Sequence, residues 1–372
     1  MKTQLLLGAG ALALMAACTS KPSNEFTING DTDLKDGDMI YLSYSVSSDS
    51  VYNDSVAVAN GKFVFSGTIE HPYAAKISAN GDNGNAQKSR RFMIEPSVIS
   101  VSLTGEDYGK APVEGSLLTL QFDSVYNYVA DTESKMMAIQ QEAQNLQEGD
   151  SLKMKELEEK FEALYDEQEA YQLNFAKTHP ASYVAPIVLR GIIYNRSLDE
   201  LKEIYGSWTP EVQASASNIA DFIAAMENVQ PGKKAIEVAG LDQNEAEVKL
   251  SDLMGKVVLL DFWATWCRPC RASLPHVKEV YEKYNGDGLE VLCVSLDRDE
   301  KAWKDFIANS GQGMEKYHHV YERGCGWDSK DAANYAVKSI PAKFLIDRDG
   351  KIIGKYDSEE ELDAKLAEIF GK

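Results

Sequence analysis

The sequence predicts a multidomain chain: an N-terminal all-β sandwich or barrel over residues 26–112, a central α-helical region over 115–230, and a C-terminal α/β fold over 233–372. Three observations predict it. Short alternating or apolar runs punctuated by turn residues fill the first region, apolar residues at a 3–4 spacing fill the second, and apolar strands alternating with helical stretches fill the third. A length of 372 residues suits two or three such units. With 44% hydrophobic and 26% charged residues, the composition is that of a folded protein. The 58 acidic against 38 basic residues give a formal charge of −20. Such a surface repels phosphate backbones, so nucleic acid is not an expected partner. Five cysteines are too few to build a disulfide scaffold in a chain this long.

The chain opens with Lys2 and an uncharged run from Leu5 to Ala17. That run fits a secretory signal and is too short to span a bilayer. It ends Leu14-Met15-Ala16-Ala17-Cys18, and small residues directly before a Cys resemble the bacterial lipobox. The expectation is a signal peptide over 1–17, lipidation at Cys18 and a polar tether over 18–25. Thr19 stands where an Asp would retain many lipoproteins in the inner membrane. The expected location is therefore the cell envelope, lipid-anchored to the outer membrane on its periplasmic face.

In the first region, strands are expected at 26–29, 39–44, 62–66, 74–77, 91–94 and 98–103. Asn60-Gly61, between 56–58 and 62–65, predicts a hairpin, and Gly81-Asp82-Asn83-Gly84 predicts a turn. In the second, Leu118, Phe122, Val125, Val129, Met136 and Ile139 mark one helix, and Met154, Leu157, Phe161, Leu164, Tyr171 and Phe175 mark another. Gln147-Glu148-Gly149-Asp150 breaks them into an antiparallel pair. Their excess of acidic side chains reads as a solvated face. Ser197-Leu198-Asp199-Glu200 is a capping box, and Thr209-Pro210 sets a cap before a proline. Gln230-Pro231-Gly232 marks a boundary. In the third region, strands are expected at 256–262, 289–296, 343–347 and 351–355. Helices are expected after the first strand to Tyr284, at 301–308, near 331–336 and at 359–370. Continuously apolar strands imply a sheet covered on both faces.

The chemistry lies in Asp261-Phe262-Trp263-Ala264-Thr265-Trp266-Cys267-Arg268-Pro269-Cys270-Arg271. A buried strand runs into a Cys-x-x-Cys that opens a helix. The helix N-terminus stabilises a thiolate on Cys267, the nucleophile of disulfide exchange. Cys270, one turn on, can attack the mixed disulfide and release the partner. Arg268 adds positive charge, and Pro269 stiffens the loop where no N–H is missed. Zinc would need a second ligand pair, and covalent haem would need a His where Arg271 stands, so neither a metal nor another cofactor is expected. His318-His319 reads as a surface strand end, His276 as solvated, Cys293 as an inert buried thiol, and Cys325 as a loop thiol without an evident partner.

Residues 233–372 resemble the thioredoxin fold, specifically the TlpA/ResA-like extracytoplasmic thiol–disulfide oxidoreductases. The resemblance rests on Gly255-Lys256-Val257-Val258-Leu259-Leu260, the Trp-Ala-Thr-Trp-Cys-Arg-Pro-Cys block, and Ser339-Ile340-Pro341-Ala342-Lys343-Phe344-Leu345-Ile346-Asp347 with Asp349-Gly350. It implies a cis Pro341 against the cysteines, with the backbone at Ile340 offering an edge to substrate. It implies that Pro275 kinks the active-site helix and that Trp266 is a surface contact for substrate, with Trp263 in the core. It places Asp261 where thioredoxin has its buried acid, which relays a proton to and from the resolving Cys. Close relatives often have Asn there and a Glu elsewhere, and Glu237 or Glu245 could supply one. The first region resembles the DUF4369-type domain of Bacteroidetes lipoproteins through Asp54-Ser55, Asn60-Gly61-Lys62-Phe63-Val64-Phe65-Ser66-Gly67 and Phe92-Met93-Ile94-Glu95-Pro96.

The resulting expectation is a lipid-anchored extracytoplasmic enzyme that exchanges disulfides with thiol- or disulfide-bearing proteins through Cys267 and Cys270, leaning towards reduction and served by a membrane electron donor. A peroxiredoxin would need Pro and Thr or Ser where Leu260 and Ala264 stand. A non-catalytic binding lipoprotein would not need the intact cysteine pair.

Overall fold

The computed structural model describes residues 24–46, 50–79, 88–146 and 150–372. The expected signal peptide, Cys18 and most of the tether lie outside the described residues. So do the expected turn at 81–84 and most of the break at 147–150. Two compact units divide at Asp131/Thr132, inside the first long helix. The expected boundary at 230–232 lies within the second of these units.

The first unit holds β1 (Glu25–Thr32), β2 (Met39–Ser45), β3 (Val51–Ala57), β4 (Lys62–Thr68), β5 (Tyr73–Ala79), β6 (Ser89–Ile94), β7 (Val98–Leu103) and β8 (Val113–Glu114). They form two four-stranded sheets, ordered β4-β1-β7-β8 and β3-β2-β5-β6. Alternating side chains from both sheets share one core, with Ile28, Phe65 and Ile99 from one and Ile40, Ile77 and Phe92 from the other. Asn60 and Gly61 both take positive φ, 55° and 67°, and the turn closes through Ala59 and Lys62. The expected hairpin stops there. β3 pairs with β2 and β4 pairs with β1, so the turn passes the chain from one sheet to the other. The turn geometry is local, whereas strand partners are chosen by the shared core.

Helix α1 (Leu117–Gln144) begins in the first unit, where Thr119 Oγ1 donates to the Met93 carbonyl and accepts from its N–H. Helix α2 (Ser151–Thr178) runs antiparallel to the later part of α1, through Thr132 with Gln168 and Lys153 with Glu142. Then come α3 (Val184–Ile192), α4 (Leu198–Ser207), α5 (Pro210–Ala214) and α6 (Ser217–Asn228). The Ser197 and Thr209 hydroxyls cap α4 and α5, and Pro210 follows the second cap.

The rest of the second unit comprises β9 (Ala239–Leu241), β10 (Glu247–Lys249), β11 (Val257–Trp263), α7 (Arg268–Tyr284), β12 (Leu289–Ser295), α8 (Glu300–Asn309), β13 (His318–Tyr321), α9 (Lys330–Asn334), β14 (Ala342–Ile346), β15 (Ile352–Tyr356) and α10 (Glu359–Phe370). The sheet order is β10-β9-β13-β12-β11-β14-β15. β12 runs parallel to β11 and to β13, and β14 runs antiparallel to β11. Every residue of the central β11 is buried, as the unbroken apolar run predicts. Phe262 and Trp263 point to opposite faces. Phe262 meets Tyr335, and Trp263 meets Phe306 of α8. Arg271 of α7 also lies over Phe306, and Tyr284 of α7 stacks on Phe370 of α10, so α7, α8 and α10 share the Trp263 face.

Two histidine expectations are corrected. His319 is fully buried inside β13, its Nε2–H donating to the Met314 carbonyl at 2.8 Å, and burial pushes its pKa down to about 4. His276 is only 13% exposed and reaches Asp363 of α10 at 3.0 Å instead of solvent. β9, β10 and β13 are short and carry no signal beyond propensity.

Candidate active site

β11 delivers the chain into Ala264-Thr265-Trp266, and Cys267 is the N-cap of α7. Pro269 lies in the first turn, where its missing N–H costs no helix bond. Pro275 lies inside the helix, where it removes the N–H that would bond Arg271. Cys270, Leu274, Val277 and Tyr284 form the buried stripe that fixes the helix on the sheet.

Cys267 and Cys270 form a disulfide with their Cα atoms 5.3 Å apart. The backbone N–H of Cys270 donates to Cys267 Sγ at 3.1 Å. The Ile340–Pro341 peptide is cis, and the Ile340 carbonyl oxygen lies 3.6 Å from Cys267 Sγ. Cys267 retains 4% exposure and Cys270 1%. In the disulfide form, then, both cysteines are buried, Cys267 slightly less so. Arg268 and Pro269 are exposed, and Ile340 and Pro341 are half-buried.

The turn before Cys267 is pinned from the end of β12. Thr265 donates to Asp297 through its N–H at 3.0 Å and its hydroxyl at 2.6 Å, and Ser295 donates to the same carboxyl group at 2.8 Å. Trp266 is 55% exposed and tilts against Trp327, 45% exposed, with ring centroids 6.3 Å apart. Together with Thr265, Asp297, Arg298 and Ala302 they line a groove of about 490 Å³ beside the cysteine pair. Trp263 is buried in the core.

Asp261 is 2% exposed, and its Oδ1 lies 3.6 Å from Nζ of Lys343, itself 6% exposed. Burial raises the Asp261 pKa, and the Lys343 charge pulls it partly back. Lys343 Nζ donates to Ser273 Oγ at 3.2 Å, and Ser273 Oγ donates to the Cys270 carbonyl at 3.0 Å. Cys293 stands opposite Asp261 on β12, and burial pushes its thiol well up. The alternative acids are engaged elsewhere: Glu237 accepts from the Ser251 N–H, and Glu245 pairs with Lys304. Cys325 is free and partly buried. Among the described residues, no group of three or more His, Cys, Asp or Glu side chains is placed to hold a metal.

The sequence does not single out Asp297, Lys343, Ser273 or Trp327. A lysine inside the apolar Ala342–Ile346 strand was the available signal, because a buried charge needs a partner.

A Cys-x-x-Cys disulfide at a helix N-terminus, facing a cis-proline on an α/β sheet, defines a thiol–disulfide oxidoreductase of thioredoxin-like fold. The family model described as thioredoxin-like matches residues 255–352, and that of a domain of unknown function, DUF4369, matches residues 26–122. A thiol-disulfide oxidoreductase ResA from Bacillus cereus is 36% identical over 151 residues, which cover 40% of this chain and 83% of that protein. ResA of Bacillus subtilis is 30% identical over 130 residues, covering 35% and 69% respectively. The chain belongs to the ResA family of thiol-disulfide oxidoreductases. The solved thioredoxin domain of a thiol-disulfide oxidoreductase from Bacteroides vulgatus is 27% identical and covers 38% of this chain and 98% of that one, with a TM-score of 0.35.

Proposed function

We propose that this chain is a lipid-anchored, extracytoplasmic reductase of protein disulfides, held through Cys18 at the periplasmic face of the outer membrane. The proposed attachment is the N-terminal lipid, on the strength of the uncharged run and the Ala16-Ala17-Cys18 ending that resembles the lipobox; among the described residues no helix is long and apolar enough to cross a membrane. The observation that carries the catalytic reading is the placement of Cys267 Sγ. It sits at the N-cap of α7, receives the Cys270 N–H at 3.1 Å and faces the Ile340 carbonyl at 3.6 Å. Once the disulfide opens, that N–H and the helix N-terminus stabilise a thiolate there.

The Cys267 thiolate attacks one sulfur of a substrate disulfide. The substrate S–S bond breaks, and its electron pair leaves on the other sulfur, which takes a proton from water. A Cys267–substrate mixed disulfide remains. Cys270 gives its thiol proton to the Asp261 carboxylate, and its sulfur attacks Cys267 Sγ. The Cys267–Cys270 disulfide forms, the second substrate sulfur leaves and is protonated, and Asp261 returns its proton to water. Two electrons have passed from the cysteine pair to the substrate. A dithiol electron donor in the membrane restores the reduced pair. Trp266 and the edge at Ile340 receive the polypeptide around the substrate cysteine, with Arg268 and Pro269 at its margin.

The test is insulin-disulfide reduction by the purified protein with dithiothreitol. The parent is expected to turn over, and Cys267→Ser to be inactive. A Cys267→Ser variant as active as the parent, or consumption of peroxide in place of disulfide, contradicts the proposal.

A further inference from the structure

We propose that Lys343 is a positioning residue for the exchange reaction: its buried ammonium holds Asp261 ionised and ties it to the active-site helix through Ser273. This rests on the reading that Asp261 accepts the Cys270 proton, and it adds the group that makes Asp261 able to do so.

Three placements carry it. Asp261 and Lys343 are directly opposed across β11 and β14, so their side chains share one face of the sheet. Lys343 lies two residues beyond the cis-proline, on the same short segment whose Ile340 carbonyl faces Cys267 Sγ. Its ammonium reaches Ser273, whose hydroxyl is bonded to the Cys270 carbonyl. One strand segment therefore touches both the nucleophile and the acid, and one ammonium links the acid to the helix that carries Cys270.

An isolated carboxylate buried this deeply would take up a proton. A protonated Asp261 has no capacity to accept another from Cys270. The groups around the pair leave Lys343 to supply the compensating charge. Cys293 from β12 faces Asp261 as a thiol whose pKa burial raises. Tyr356 from β15 stands opposite Lys343, and burial raises its phenol as well. From α7 come the Ser273 hydroxyl and the Cys270 carbonyl, both uncharged. An ionised Asp261 near neutral pH therefore depends on Lys343.

The experiment follows resolution of a preformed Cys267 mixed disulfide across pH 6–9 in the full-length parent, Lys343→Met, Lys343→Arg, Asp261→Asn and the double variant Asp261→Asn/Lys343→Met. Each unit by which the Asp261 pKa rises costs about tenfold in the ionised fraction below that pKa. Lys343→Met is expected to resolve about tenfold or more slowly than the parent at pH 6–7 and to recover as pH rises. Lys343→Arg, which keeps the charge, should restore most of the rate. The double variant should be no slower than Asp261→Asn alone. Infrared spectra at pH 7 should show a protonated buried carboxyl in Lys343→Met that is absent from the parent and from the double variant. A parental pH profile in Lys343→Met, with Asp261→Asn still slow, overturns the role of Lys343 and leaves that of Asp261 standing. A parental rate in Asp261→Asn overturns the reading beneath both. If Lys343→Met does not fold, Lys343→Arg decides: near-parental resolution across pH 6–9 with Asp261→Asn slow supports the proposal, whereas a Lys343→Arg slowed alike at pH 6 and pH 9 shows a purely steric role and overturns it.

Discussion

Asp297 at the end of β12 holds Thr265, two residues before Cys267, by three contacts: Thr265 N–H to both carboxyl oxygens, at 3.0 and 3.2 Å, and Thr265 Oγ1 to one of them at 2.6 Å. Ser295 occupies the remaining approach. Asp297 is only 2% exposed, so these donors replace water. The turn that presents Cys267 closes through the Cys267 N–H and the Ala264 carbonyl at 3.1 Å and is anchored in addition by Asp297 from the segment after β12.

Asp297→Asn puts an N–H₂ among groups that all donate. A buried polar contact to a charged group is worth about 1.5–3 kcal/mol, so denaturant unfolding should show a loss of that order. Because the turn also aims Cys267, insulin reduction under folding conditions should fall, by up to about 10²-fold if the sulfur moves by an ångström. Parental stability and parental rate together would show that the Thr265 turn holds itself.

Trp266 and Trp327 form an aromatic wall beside the cysteines, both substantially exposed. Exposed aromatic pairs suit apolar side chains of an unfolded chain. Trp266→Ala and Trp327→Ala should each raise KM for insulin several-fold. They should leave the rate with a small aliphatic disulfide near parental, since that molecule reaches the sulfurs without filling the groove. Equal losses on both substrates would place the tryptophans in support of the loop instead of in binding.

Asp331, at the start of α9, is 6% exposed, and burial together with the charge of Glu322 pushes its pKa up to about 7. The native state therefore holds this proton more tightly than the unfolded chain, where the value is about 3.9. Its contribution to stability is present below the unfolded value and is lost as pH rises towards 7, at no more than about 1.4 kcal/mol per pH unit. His319, whose pKa is lowered, acts in the opposite sense over part of that range. Comparison with Asp331→Asn cancels the histidine, which both proteins share. The variant should be more stable than the parent at pH 8 and should lose that advantage at pH 4, as read from urea unfolding by tryptophan fluorescence. A constant difference at both pH values would show that Asp331 is not the titrating group.

The proposed envelope anchor rests on Cys18. Cys18→Ser should leave the expressed protein out of the membrane fraction after a high-salt wash, while the parent stays in it. Retention of the variant with membranes would point to attachment by another part of the chain.

Local signals carried much of the fold. The Glu359–Phe370 helix was legible because Ser358 caps an amphipathic run, and the Val98–Leu103 strand because its side chains alternate. The cysteine pair was legible because strand, motif and proline are contiguous. What was not legible depends on register. Asp297 meets Thr265 across 32 positions, and Lys343 meets Ser273 across 70, so only the parallel and antiparallel ladders bring them together. Asn60-Gly61 shows the same limit: the turn follows from two residues, but the sheets its flanking strands enter follow from the whole core. His319 looked polar in sequence and is buried because β13 sits between β12 and β9.

The central claim is that Cys267 attacks and Cys270 resolves. It is tested most directly by trapping the intermediate. Reduced Cys270→Ser and reduced Cys267→Ser are each mixed with a disulfide-bonded peptide, and the adducts are mapped by mass spectrometry. The expected result is a stable mixed disulfide on Cys267 in Cys270→Ser and little or none on Cys270 in Cys267→Ser. A faster or more abundant adduct on Cys270 would reverse the assignment and contradict the claim.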